Sequence, residues 1–173
     1  VGTGKGAENG ILIKSAEALE TLHLVKTVIM DKTGTLTEGK PVVTDIYSIG
    51  IDENELLALA ASAEKPSEHP LGAAIVEEGA ARNMAVLPVT DFVAVHGKGV
   101  RGTVQGEDWL AGNAAMMQEA GVELGNGAAD ADRLAGQGKT PLFFVRAGRL
   151  VGIIAVADTV KTTSAMAIQG FRN

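Results

Sequence analysis

Two kinds of segment in this 173-residue chain carry residue types at spacings that do chemistry: an aspartate entering a loop of glycine and threonine, and lysine-containing glycine runs of the sort that cradle phosphates. The aspartate is Asp31, in Asp31-Lys32-Thr33-Gly34-Thr35-Leu36-Thr37. It follows the apolar run Val25, Val28, Ile29 and Met30, which predicts a strand that hands a carboxylate to a loop beyond a sheet edge. The same residues also suit a plain turn, with Asp31 as its cap and the threonines satisfying backbone groups. The glycine runs sort by context. Gly138-Lys139-Thr140 lacks the earlier glycine of a Walker loop, where Arg133 stands, and a strand rather than a helix follows. Gly97, Gly99 and Gly102 match G-x-G-x-x-G, yet TVQGEDWL reads as strand, turn and strand, which rules out the helix of a dinucleotide site. With Val104 the segment also matches the glycine loop of protein kinases, but the chain contains no HRD or DFG triplet. What remains is a hairpin whose bare backbone can approach a ligand closely.

The elements that position these residues follow from periodicity and punctuation. The opening VGTGKGAENG reads as a linker, and Ile11, Leu12, Ala16, Leu19 and Leu22 recur at helical intervals. Val42 to Ile49 predicts a strand, Glu53 to Ala63 a helix after Asp52, and Leu71 to Arg82 a helix opened by Pro70. Phe92 to Val95, Val100 to Val104, Trp109 to Ala111, Leu142 to Val145 and Leu150 to Val156 are β-prone, with helices at Asn113 to Ala120 and Ala128 to Ala135. That order predicts an antiparallel α+β layout. At 46% hydrophobic residues the chain can bury a core, and a net charge of -6 offers no basic stripe, so no nucleic-acid partner is expected. The longest apolar stretch, Val151 to Ala157, falls short of the roughly 20 residues of a membrane helix. No cysteine exists for disulfides or thiolate metal sites. His23, His96 and the methionines Met30, Met84, Met116, Met117 and Met166 are irregularly spaced, which favours packing over a copper site.

DKTGTLT at residues 31–37 resembles the phosphorylation motif of P-type ATPases, and Ser67-Glu68-His69-Pro70 resembles the SEHP signature of their heavy-metal-transporting branch. Gly97-Lys98-Gly99-Val100 is similar to that branch's G-x-G segment and Gly112-Asn113 to its glycine-asparagine pair. The resemblance implies that Asp31 takes the γ-phosphoryl group of ATP as an aspartyl phosphate, with Lys32, Thr33, Gly34 and Thr35 around it. It implies Mg²⁺ on Asp31 and Thr33, with further ligands from outside the chain. Thr33 occupies the place where related phosphatases carry a second aspartate, so the phosphoenzyme is expected to persist. The implied nucleotide-binding set is Glu64, Ser67, Glu68, His69, Pro70, Gly97, Gly99, Val100, Gly112 and Asn113, with Glu64 near the adenine and His69 stacking on it. Taken alone, Asn113 reads as a helix cap. The chain departs from the pattern at His96 and Thr159, where the family often has proline. Asp158 and Lys161 are expected to be solvated surface charges without a catalytic role.

The implied fold is mixed α/β and α+β: an antiparallel-sheet nucleotide-binding domain with flanking helices, inserted in an incomplete phosphorylation domain of the haloacid-dehalogenase (Rossmann-like) type. Residues 1–41 would open the phosphorylation domain, 42–154 form the insertion, and 155–173 begin the domain's truncated second part. The expected function is the ATP-binding portion of a pump, on the cytoplasmic side of a membrane. Copper is the leading cargo, not bound by this portion, and the partners are the pump's membrane, actuator and remaining phosphorylation domains. By itself the chain is expected to bind ATP and turn over little. The alternatives are a free haloacid-dehalogenase-like phosphatase, which would need an acid two residues after Asp31, and a regulatory domain that has lost nucleotide binding.

Overall fold

Leu142 and Phe144 face one way along a strand and Phe143 and Val145 the other, and all four are buried, so helices must cover that strand on both sides. In the computed structural model, which describes residues 2–172, it is the fifth of six strands. They are β1 (Thr37–Ser48), β2 (Val89–Val95), β3 (Gly99–Val104), β4 (Glu107–Gly112), β5 (Thr140–Arg146) and β6 (Arg149–Val160). All pair antiparallel in one sheet of order β1-β6-β5-β4-β3-β2. Seven α-helices accompany it among the described residues: α1 (Gly2–Glu8), α2 (Ala16–Thr21), α3 (Glu53–Glu64), α4 (Pro70–Ala81), α5 (Ala114–Glu119), α6 (Gly127–Gly136) and α7 (Ser164–Arg172).

One face of the sheet, with Val100, Val104, Trp109, Ala111, Phe144 and Ile154, packs with Leu56, Leu57, Ala60 and Ile75 of α3 and α4. The other, with Phe143, Val145, Ile153 and Ala155, packs with Met116, Met117, Ala131 and Leu134 of α5 and α6. Burial on both sides supplies the main stabilisation, at about 25 cal/mol per Å² of apolar surface. Local chemistry sets the helix starts. Asp52 caps α3 by accepting from Asn54 N at 2.8 Å, and Pro70 follows the cap residue His69 at the head of α4.

Several expectations change. The run before Asp31 forms no strand. Among the described residues nothing pairs with it, Ile29 is 93% exposed, and a single extended segment without a ladder gains no strand stability. The opening residues are helical as α1 rather than a linker. The helix expected from Ile11 shrinks to α2, because Ser15 accepts from Ala18 N at 3.1 Å and so starts the helix there. β1 and β6 each run beyond the expected spans. They pair with one another from Thr37↔Val160 to Ser48↔Gly152, and the ladder carries both strands through the expected domain borders at 42 and 154. Val1 and Asn173, at the ends of the outer segments, lie outside the described residues. Met116 and Met117 are core residues.

Candidate functional site

Asp31 has extended backbone (φ −67°, ψ 148°) and its Oδ1 accepts from Lys32 N at 2.7 Å. Asp31 to Thr35 are exposed, so the carboxylate is open to a reactant. The chain turns at Gly34, whose φ of +75° is a left-handed conformation that glycine tolerates best. Thr37, 2% exposed, ties the loop. Its hydroxyl accepts from Gly34 N at 3.1 Å and lies within hydrogen-bonding reach of the Lys32 carbonyl at 3.0 Å and of the Asp158 carboxylate. Asp158 Oδ1 also accepts from Gly39 N at 2.9 Å. Lys161 Nζ donates to the Gly34 carbonyl at 2.8 Å and Ser164 Oγ to the Leu36 carbonyl at 2.7 Å.

Asp158 and Lys161 are therefore not free surface charges: they fasten the loop that follows Asp31. Thr37 and Asp158 are 121 residues apart, a pairing that local periodicity does not carry; the DTVK stretch at the end of the last strand was the only signal. Asp158→Ala should leave the Gly39 amide without its acceptor and the buried Thr37 hydroxyl with the Lys32 carbonyl alone. We expect the amides of Gly34 and Gly39 to exchange at least ~10-fold faster by NMR hydrogen exchange, a local cost of about 1.4 kcal/mol or more. Unchanged protection at both amides would show that the carboxylate does not hold the loop.

A second group of residues gathers where α3 meets α4. Glu64, the last residue of α3, is 5% exposed, and burial pushes its carboxyl up to about 7, opposed by a hydrogen bond from the Ser67 side chain. Gly72 lies directly against it; a Cβ there would stand 2.4 Å from Glu64 Oε2. His69 is exposed and caps α4, with Nδ1 accepting from Leu71 N at 3.2 Å, which puts the ring proton on Nε2. Ser67 Oγ accepts from His69 N at 3.3 Å, and Glu68 is exposed.

The third group is the hairpin between β2 and β3. Asn113 both caps and ties: Oδ1 accepts from Met116 N at 3.1 Å at the head of α5, while Nδ2 donates to the Gly97 carbonyl at 2.9 Å and its N–H to the Lys98 carbonyl at 2.8 Å. Gly99 and Gly112 face each other across β3 and β4. A Cβ on Gly99 would meet the Ala111 carbonyl at 2.1 Å, and one on Gly112 the Lys98 carbonyl at 2.4 Å, so close strand approach itself requires these glycines. Val100 turns its side chain into the core, which leaves only its backbone for a ligand.

The structure thus assembles Glu64, Ser67, His69 and Pro70 in one group and Gly97, Gly99, Gly112 and Asn113 in another. The core shared by Val100 and α3 joins the two. Asp31 to Thr35 stand apart, at the outer end of the β1–β6 ribbon. Two surface clefts lie elsewhere: one of about 720 Å³ beside Ile49, Asn126 and Leu150, another of about 520 Å³ over Arg101, Asp108 and Leu110. The donors at Asp31 and Thr33 are oxygens, which Mg²⁺ prefers, and among the described residues no cluster of three or more His, Cys, Asp or Glu completes a metal cage. No helix among them is long and apolar enough to cross a membrane.

Residues 25–173 match the model of the haloacid dehalogenase-like hydrolase family. Over its whole length the chain is 47% identical to a copper-transporting P-type ATPase of Rhizobium leguminosarum bv. viciae, of which it spans 21%. A crystal structure of a zinc-transporting PIB-type ATPase in the E2.Pi state superposes with a TM-score of 0.87 at 38% identity, over 99% of this chain and 28% of that one. The isolated N-domain of a copper-transporting P-type ATPase superposes with a TM-score of 0.59 at 25% identity, over 67% of this chain and 99% of its own.

Proposed function

Because the chain belongs to the haloacid dehalogenase-like hydrolase family, we propose that it is the cytoplasmic, ATP-binding portion of a heavy-metal-translocating P-type ATPase. The chain spans 21% of the relative above, and the remainder of such a pump would supply the membrane, actuator and further phosphorylation domains. Residues 42–154 act as the nucleotide-binding insertion, and residues 1–41 with 155–173 belong to the phosphorylation domain. The N-domain likeness over 67% of the chain supports that division. Copper is the leading cargo, in line with the first relative's name; the zinc-transporting neighbour shares the fold, so the cargo rests on parts outside this chain.

In this reading Asp31 attacks the γ-phosphorus of ATP in line, ADP leaves, and an aspartyl phosphate forms. Lys32 supplies a positive charge beside the reacting carboxylate, and the Gly34 turn leaves the approach open. Oxygens of Asp31 and Thr33 would be among the groups that hold Mg²⁺, which would supply charge neutralisation for the transferred group. Thr33 cannot act as an acid or base on the phosphoenzyme, which favours its persistence. Glu64 and His69 hold the base, and the Gly97–Gly99 hairpin lies under the sugar.

The observation that carries the reading is the pairing at the α3–α4 junction of a buried acid with an imidazole whose Nδ1 is engaged in a cap, leaving its ring face and Nε2–H for a purine. An ATP titration followed by amide NMR tests it. Shifts are expected at Glu64, His69, Gly97 to Val100 and Asn113, and His69→Ala should weaken binding about tenfold, ~1.4 kcal/mol. Absence of shifts at millimolar ATP would overturn the reading in favour of a regulatory domain.

A further inference from the structure

Glu64 sits where an ionised carboxylate is poorly served. It ends α3, at the negative pole of the helix, and is 5% exposed. Among the described residues no counter-charge answers it. Lys65, Glu68 and His69 in the adjoining loop are exposed, and the first turn of α4 carries no charged side chain. Farther along α4, Glu77 pairs with Lys40, and Glu78 with Arg82, which also holds Glu53. On the hairpin side Lys98 is held by Glu119, and Arg101 of β3 is exposed. Burial therefore acts on this acid with only the Ser67 side chain against it, and carries the carboxyl to about 7. The group is also confined: Oε2 fills the space where any residue but glycine at position 72 would place its Cβ, at 2.4 Å.

A carboxylic acid that keeps its proton offers one O–H donor and one carbonyl acceptor side by side, whereas a carboxylate only accepts. The edge of adenine presents the complementary pair, an exocyclic amino donor next to a ring-nitrogen acceptor. Resting on the nucleotide reading above, we infer that Glu64, seated against Gly72, contacts the adenine ring as the neutral acid, donating to a ring nitrogen while accepting from the amino group. Ionisation removes the donor and turns an oxygen lone pair toward the ring nitrogen, so the base is released as pH rises. Gly72 is a positioning residue: it touches the acid and not the nucleotide.

Glu64→Gln tests this directly, since the amide copies the donor and acceptor of the neutral acid and has no proton to lose. ADP is titrated calorimetrically against both proteins between pH 6 and pH 8.5. Wild-type affinity should fall about 30-fold more than that of the variant over this range, tracking the protonated fraction, while the two bind alike within about threefold at pH 6. The ADP phosphates and every protein group other than residue 64 are common to both and cancel. Parallel pH profiles, or loss of binding by Glu64→Gln at pH 6, would overturn the inference and leave the nucleotide reading standing. No binding by either protein at any pH would sink both. Gly72→Ala should displace only the flexible end of Glu64, so ADP affinity at pH 6 falls about tenfold with Tm unchanged or raised. Retained affinity would remove Gly72 from the account.

Discussion

Gly99→Ala should lower the stability of this chain by about 4 kcal/mol, moving Tm down by roughly 8–16 °C. Two penalties combine. The backbone at Gly99 has φ +152°, a region that side chains rarely adopt, and the new methyl would lie 2.1 Å from the Ala111 carbonyl and 2.5 Å from the Gly112 Cα. Both obstacles are backbone of the neighbouring strand, so relief requires β3 and β4 to separate where they hold the hairpin and the Asn113 cap. Gly136→Ala serves as the control, because nothing lies within 4 Å of a Cβ there; its effect should stay within about 1 kcal/mol. Thermal unfolding of the two variants decides the matter. A Gly99→Ala protein as stable as the control would mean that the strands tolerate a wider spacing than the structure shows.

Stability should also fall as pH rises, through Glu64. Its carboxyl titrates at about 7 in the folded chain against an ordinary 4.5, so between these values the folded protein keeps a proton that the unfolded chain has released. The unfolded state then binds fewer protons, and stability declines with pH. The contribution is full below the ordinary value and gone once pH has passed through 7, a change of roughly 3 kcal/mol. Asp45 works in the opposite direction: its ion pair with Lys139 at 2.6 Å holds its carboxyl below the usual range, a stabilisation present at neutral pH and lost on acidification. Urea midpoints at pH 5 and pH 8 should drop steeply for the wild type and little for Glu64→Gln. Equal drops would assign the pH dependence to other groups.

How far the chain could be read before folding differs from segment to segment. The β-prone runs Leu142 to Val145 and Leu150 to Val156, the start of α3 after Asp52 and the proline at the head of α4 were all legible, because each depends on residues a few positions apart. The run before Asp31 has strand chemistry yet stays unpaired, since a ladder needs a partner that no local pattern supplies. Gly99 and Gly112 looked like ligand-approach glycines, and the register of β3 on β4 gives them a steric duty as well. The likeness to heavy-metal pumps was already present in DKTGTLT and SEHP, short motifs carried by residue type and order alone.

Residue type and neighbour spacing thus determined the helix that Pro70 opens behind His69, the strands of the core and the absence of any cysteine chemistry, while the resemblance of DKTGTLT made Asp31 the candidate nucleophile. Folding decided which distant groups meet: Asp158 with Thr37 across 121 residues, Asn113 with Gly97, and Gly72 with the carboxyl of Glu64. It also decided that Glu64 is an acid near neutrality rather than a surface charge. Helix and strand periodicity follow from bonded geometry over a few residues, whereas burial and cross-strand contact depend on surfaces contributed by chain segments far apart, and no local pattern encodes those.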